Sequence, residues 1–289
     1  RLIALAERYP GTLAAVGFVS GVASFILVDR QAELARVIAA LMLLSWIWLT
    51  LENVLRDGLA RRFGLDLPPV VLKFATQLVH QESLFFVLPF FFFSTSWDSG
   101  QLIFTGLLML GALVSIIDPL YYNWLSKRRW LYLTFHSLTL FAVLLTALPI
   151  IIKLTTAQSY QLAMAITLLL SFPSLSQTVP LQSLWRVPLL GLMLLGLGAT
   201  MWLAQLWVPP ATLRLTDMTV STEVDRATRT PGLSVQRVPG DALQDNGLFA
   251  YTAIHAPRGL NERVYHVWRH EGQEVDRIAL DITGGREAG

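Results

Sequence analysis

Seven long apolar runs, at about residues 12–28, 36–53, 70–93, 102–117, 131–152, 157–173 and 187–207, dominate the first two thirds of the chain. No other feature constrains the fold as much. A helix that crosses a hydrocarbon core of about 30 Å needs ~20 residues, within a range of about 17–25. The fourth and sixth runs are short by that measure and are expected to be tilted or partly re-entrant. Composition agrees: 54% of the residues are hydrophobic and 15% are charged, where a soluble domain carries about 25% charge. Arg1 to Tyr9 is a short amphipathic stretch stopped by Pro10 and Gly11 and is not read as a signal peptide.

The distribution of cations orients the runs. With the N-terminus in the cytoplasm, Arg1, Arg8, Arg56, Arg61, Arg62, Lys127, Arg128, Arg129 and Arg186 fall on the inner side, and Arg30, Arg36 and Lys153 fall outside. That bias, together with Trp97 and Trp207 at outer boundaries and Trp124, Trp130 and Trp185 at inner ones, places everything after Trp207 on the exported side. The expected location is a membrane, with the lipid bilayer as first partner. A formal net charge of +2 then reflects topology. No basic patch with interleaved aromatics points to nucleic acid. The chain has no cysteine, which excludes disulfides, thiolate metal sites and a cysteine nucleophile.

At Val208-Pro209-Pro210 the pattern changes. Residues 210–289 contain nine Arg, eleven Asp or Glu and no Lys, with period-two alternation in place of long runs. Leu213 and Leu215, then Met218, Val220 and Val224 after a bulge, read as strand. So do Leu248–Ala256, Arg263–Arg269 and Val275–Ile282, the last two joined by a tight turn at Glu271-Gly272. The expected organisation is an α-helical transmembrane bundle of about seven helices over residues 1–208, followed by a small all-β domain over 209–289, an antiparallel sheet or sandwich.

Residues Val264 to Gly289, with their Tyr-His-Val-Trp strand, glycine turn and Asp-Ile-Thr-Gly-Gly-Arg segment, resemble the C-terminal β-domain of a group of uncharacterised bacterial inner-membrane proteins. The likeness covers about 25 residues and fades back toward Leu248. It implies a Gram-negative source and a periplasmic domain, and it brings no catalytic residues with it. Domains of that kind run past the Gly-Gly-Arg segment, so this one is expected to continue beyond Gly289.

The polar groups inside the third run are the main candidates for chemistry. On a helix with Lys73 at 0°, Gln77 falls at about 40°, His80 at about 340° and Gln81 at about 80°, while Glu82 falls at about 180° on the far side. His80 to Glu82 lie ~15–18 Å along the helix, near mid-bilayer, where an ionised carboxylate costs several kcal/mol unless paired. Polar groups on two faces require neighbours all round. Glu52 near the end of the second run, His136 with Ser137 in the fifth, and Lys73 suggest a polar cluster in the inner half of the bundle. It serves either as hydrogen-bond glue, at under ~1 kcal/mol per contact, or as a route for protons, ions or solutes.

His80 and His136 as axial haem ligands is disfavoured, mainly because nothing beyond the two imidazoles supports it; their depths of ~15 Å and ~9 Å also do not match well. Asp118-Pro119 reads as an N-cap and first helical residue opening an interfacial helix. Gly17-FVS-Gly21 fits close helix packing, within the bundle or in a homo-oligomer. In the β-domain His266, Trp268 and His270 share a strand face, with Trp268 expected in the core. His266 and His270 stand ~13 Å apart and cannot grip one metal ion. No H-E-x-x-H, G-x-S-x-G or Walker A sequence occurs, so no catalytic residue, metal or cofactor is assigned and the enzyme reading is disfavoured.

Three functions follow, in order. The first is a membrane-anchored periplasmic binding or sensing module. The second is a proton, ion or small-solute pathway through the bundle. The third is an accessory subunit that meets a membrane or periplasmic protein partner.

Overall fold

The computed structural model describes residues 18–23, 26, 32–63, 69–152, 154–178, 186–211, 213–225, 227–228, 230–235, 243, 247–255 and 261–283. The chain divides into two compact units, Arg1–Ala211 and Thr212–Gly289.

In the first unit the described helices are α1 (Ala32–Phe63), α2 (Pro69–Ser94), α3 (Gln101–Ile116), a π-helical segment Pro119–Leu125, α4 (Arg129–Ile152), α5 (Thr156–Thr178) and α6 (Arg186–Leu203), which tightens into a 3₁₀ turn at Ala204–Trp207. Residues 18–23 are helical as well. Each apolar run read from the sequence therefore holds helix. Helix α3 spans nearly the fourth run as read, stops at Ile116 and bends by 102° into the π-helical segment.

Helix α4 is the centre of the unit. It packs against α1, α2 and α5, and every residue from Thr139 to Ile150 is buried. A helix buried around its whole circumference needs apolar or small residues on all faces, and this one has them. Small side chains bring neighbours close: Ala35 and Ala39 of α1 meet Ala147 and Ile150 of α4, a contact of the small-residue kind that lets two helix backbones approach. Gly21 does the same against α2, since a Cβ at that position would collide with Cβ of Phe85. Gly21 thus serves packing within the unit; Gly17, its partner in the expected motif, lies outside the described residues.

The surface of this unit is as apolar as its core. Leu102, Leu107, Leu110 and Leu113 of α3 are exposed, as are Val187, Leu192, Leu195, Trp202 and Leu203 of α6. Among the described residues two stretches, Arg129–Ile152 and Val187–Trp207, are long and apolar enough to cross a membrane, and a third is if α3 and the π-helical segment count as one bent span. This is fewer than the seven read from the sequence, for a physical reason. Helix α1 is apolar only over Leu34–Leu49, and α2, although 26 residues long, carries Gln77, His80, Gln81 and Glu82 in its middle.

In the second unit β1 (Arg214–Ser221) pairs antiparallel with β4 (Phe249–His255), β2 (Val224–Asp225) with β3 (Thr230–Pro231), and β5 (Asn261–His270) with β6 (Gln273–Thr283). The bulge expected in the first strand lies between Leu215 and Asp217, where the extra residue Thr216 turns its hydroxyl to the carbonyl of Ala253 at 2.8 Å. Glu271 (φ 49°) and Gly272 (φ 82°) form the two-residue turn between β5 and β6, and the paired positive φ values match the twist of the strands it joins. Among the described residues each ladder has two antiparallel strands, in keeping with the antiparallel sheet read from the sequence. A two-stranded ladder offers little cover, and Trp268 is accordingly half-buried rather than in a core.

Candidate functional site

The third apolar run becomes α2, and its polar stripe is taken inward. Gln77, His80 and Gln81 are buried, and so is Ser83 one position past Glu82. Lys73, one turn earlier, is exposed, and Glu82 is half-buried. The expected four-residue stripe thus loses its cation and keeps its two amides and its imidazole. Glu52 belongs to α1, but its side chain lies outside the described residues.

His80 is the hub. It has no exposed surface. Its Nδ1 lies 2.8 Å from the hydroxyl of Tyr121 on the π-helical segment, and its Nε2 lies 3.0 Å from Nδ1 of His136 on α4. The sequence-based depths of these two histidines, ~15 Å and ~9 Å, are therefore corrected. They assumed straight helices starting at one plane, whereas α2 and α4 cross so that the imidazoles meet.

A neutral imidazole donates from one nitrogen and accepts at the other. The chain Tyr121–His80–His136 therefore has two complete hydrogen-bonding patterns. In one, His136 Nδ1–H donates to His80 Nε2 and His80 Nδ1–H donates to the tyrosine oxygen. In the other, the tyrosine hydroxyl donates to His80 Nδ1 and His80 Nε2–H donates to His136. Moving one proton along the chain converts the first pattern into the second. This is the property a proton relay requires.

Aromatic rings enclose the pair. Trp46 of α1 lies 5.5 Å from the ring of His80 and 4.9 Å from that of His136, centroid to centroid. Phe135 lies 5.0 Å from His80, and Tyr132 stacks on His136 at 6.2 Å with 23° between planes. Trp46 is held in turn, since its Nε1–H donates to Ser83 Oγ at 2.8 Å.

A second polar knot fixes the elbow. The Gln77 amide nitrogen donates to the carbonyl of Ser115 at 3.0 Å and to Oδ1 of Asp118 at 2.8 Å, and its oxygen accepts from the Tyr122 hydroxyl at 2.5 Å. All of its hydrogen-bonding groups are used. Asp118 does precede the segment and Pro119 opens it, as expected, but Asp118 makes no side-chain cap. Its backbone is already helical (φ −47°, ψ −46°), whereas a capping residue is extended, so its carboxylate is left to take the Gln77 amide instead.

Trp46, Ser83, Tyr121, Tyr122 and Tyr132 were not singled out in the sequence. The signal for the tyrosines was the pair of hydroxyls in Tyr121-Tyr122 directly after Asp118-Pro119. Aromatic rings at the end of an apolar run read equally well as interfacial anchors, and only the elbow turns these two inward.

In the second unit the structure does not gather a site from the residues singled out there. His266 accepts or donates one hydrogen bond with Thr252 Oγ1 at 2.9 Å through Nε2. His270 is exposed beside the turn, and a register shift between Trp268 and Arg269 separates it from the alternation that includes His266 and Trp268. On the same hairpin Arg277 donates to both oxygens of Glu274, at 2.7 and 3.0 Å. Those hydrogen bonds hold the Glu274 carboxyl below its ordinary range. Among the described residues no group of three or more His, Asp or Glu is arranged to hold a metal ion.

A family of unknown function (DUF5924) matches residues 1–250. The match covers the helical unit and the first part of the second, and ends before residues 264–289, on which the likeness to uncharacterised inner-membrane proteins was read. No curated protein and no solved structure matches the chain.

Proposed function

The chain belongs to this family, whose function is unknown, and from that premise we propose that its helical unit is a membrane-embedded proton pathway in which Tyr121, His80 and His136 form the relay. The observation that carries the reading is the continuous hydrogen-bonded chain through a fully buried imidazole, joining three separate segments. Ionisable side chains inside an apolar bundle are costly and rare, and they mark proton relays and ion routes where they occur. Here they are also arranged to hand a proton on. His80 takes a proton at one ring nitrogen and releases one from the other, and the surrounding rings exclude competing water.

In this reading the apolar exterior of α3 and α6 faces lipid, and the protein sits in a bacterial inner membrane with its N-terminus cytoplasmic and its β-unit periplasmic. Support for the topology comes from the charge bias of the connecting segments and the exposed apolar helix faces. The half-buried Glu82 is a candidate for the approach to the relay.

The test is proton flux into liposomes containing the purified full chain, driven by a potassium diffusion potential and read by an internal pH dye. Wild-type vesicles should acidify, His80→Phe should abolish the signal, and Glu82→Gln should slow it. Wild-type flux no greater than that of protein-free vesicles would sink the proposal.

A binding or sensing role for the β-unit is the second reading. It is favoured by the apolar side chains that the β5–β6 hairpin leaves exposed, among them Tyr265, Val267, Val275 and Ile278. A pull-down with the full chain in mild detergent, against a variant with Val267 and Ile278 changed to Ser, tests it through loss of a co-purifying protein.

A further inference from the structure

The relay lies toward one end of α4, and a pathway needs a continuation through the rest of the bundle. Beside His136, the hydroxyl of Ser137 on α4 lies 2.9 Å from that of Ser171 on α5. Ser171 is the end of a row of small buried residues on α5 spaced by four: Ser159, Ala163, Thr167 and Ser171. Positions four apart form one ridge of a helix. From Ser171 to Ser159 this ridge runs about 18 Å, toward the connection between α4 and α5.

Two hydroxyls on this ridge behave unlike the others in the unit. Threonines inside helices here turn back to the carbonyl four residues earlier: Thr76 to Leu72 at 2.9 Å, Thr134 to Trp130 at 2.9 Å, Thr139 to Phe135 at 2.8 Å, Thr146 to Ala142 at 3.1 Å and Thr200 to Gly196 at 2.8 Å. That is the ordinary way for a hydroxyl to be satisfied in an apolar helix. Thr167 and Ser159 are almost wholly buried, at 0% and 2% exposure, and their hydroxyls take no hydrogen-bond partner from the protein. A buried hydroxyl without a partner is destabilising, so two on one ridge call for a common explanation.

Farther along the same pair of helices, Phe141 of α4 packs edge-on against Tyr160 of α5, with ring centroids 5.3 Å apart. Pro149 lies inside α4 and has no N–H, which deprives the carbonyl of Leu145 of its helical donor. Leu145 is itself buried, so its carbonyl is a further polar group in the buried middle of α4.

We propose that the α4–α5 interface carries a single file of water that continues the relay from Ser137 and Ser171, past Thr167 and the Leu145 carbonyl, to Ser159 at the far end. Water is the ligand that suits isolated hydroxyls and a lone carbonyl, because each molecule both donates and accepts. A proton entering at one end is taken up by a lone pair while another leaves at the other end, so each hydroxyl gains one proton and gives one up. The inference rests on the proton-pathway reading and names its route.

The test uses the full chain in liposomes of phosphatidylethanolamine and phosphatidylglycerol. Thr167→Val removes the hydroxyl at nearly constant volume and is expected to lower proton flux by roughly 10²-fold, the lower end of what one positioned proton-transfer group contributes. Thr167→Ser, which keeps the hydroxyl, is expected to retain the flux, and Ser159→Ala to lower it. Radiolytic hydroxyl-radical labelling, which marks residues beside bound water, should modify buried Phe141 in the wild type and not in Thr167→Val. Flux that His80→Phe abolishes while Thr167→Val and Ser159→Ala leave it unchanged would overturn the route alone. A wild-type protein without flux would overturn the relay and the route together, and sodium-dependent flux would replace water by a bound cation.

Discussion

Trp46 shows how one residue can settle a site without taking part in its chemistry. Its ring lies against both imidazoles, and the bond from its Nε1–H to Ser83 fixes the tilt. Trp46→Phe keeps most of the packing and deletes the donor, so it is expected to cost about 1 kcal/mol, the net value of a typical hydrogen bond. Ser83→Ala should cost a similar amount alone and almost nothing on top of Trp46→Phe. Thermal unfolding of the four proteins in detergent measures the cycle, and simple additivity would show that the two side chains do not act together. Neither residue stands out in the sequence. A tryptophan in an apolar run and a serine one position after Glu82 carry no pattern, because what unites them is a crossing of α1 and α2 that periodicity does not encode.

At the scale of elements, the elbow is the part most in need of support. A 16-residue helix bends by 102° into a seven-residue π-helical segment, and wide turns of this kind tend to occur where function requires them. Gln77 holds it by bonding to Ser115 before the bend and to Asp118 and Tyr122 after it. Gln77→Leu leaves three polar groups without their partner and should loosen the segment while α2 stays helical. Hydrogen exchange read by mass spectrometry is expected to rise across residues 118–126 and to stay unchanged across 139–150; unchanged exchange at the elbow would show that packing alone holds it. The helices themselves were legible, since long apolar runs have little alternative in an apolar solvent. The elbow was legible only as a run that is too short. The strands followed from alternation and turn chemistry, down to the bulge near Thr216 and the Glu271-Gly272 turn, but how many ladders join into one sheet is set by contacts far apart in sequence.

The first unit buries a few polar groups around His80 within an apolar core and leaves large apolar side chains exposed at its rim. Helix α6 states this most plainly, with Leu192, Leu195 and Leu203 exposed while its inner face touches α5. Nitroxide labels at positions 195 and 110 in the reconstituted protein are expected to report high oxygen and low water-soluble nickel accessibility, and a label at the exposed Lys73 the reverse. Water-like values at 195 and 110 would contradict a lipid-facing surface. The apolar rim was legible in the composition, while the placement of His80 against His136 depended on helix crossing, which no count of residues per turn supplies.

The two hydrogen-bonding patterns of the Tyr121–His80–His136 chain have a kinetic corollary. In the proposed relay every donor faces the other way once a proton has passed, and a second proton in the same direction must wait until the rings turn over. In free solution an imidazole does this readily; between Trp46, Phe135 and Tyr132 it must push its neighbours aside. The molecule would then work as a turnstile whose throughput is set by the reset and not by the hop, so its rate should follow the crowding around the rings far more closely than the size of the driving gradient.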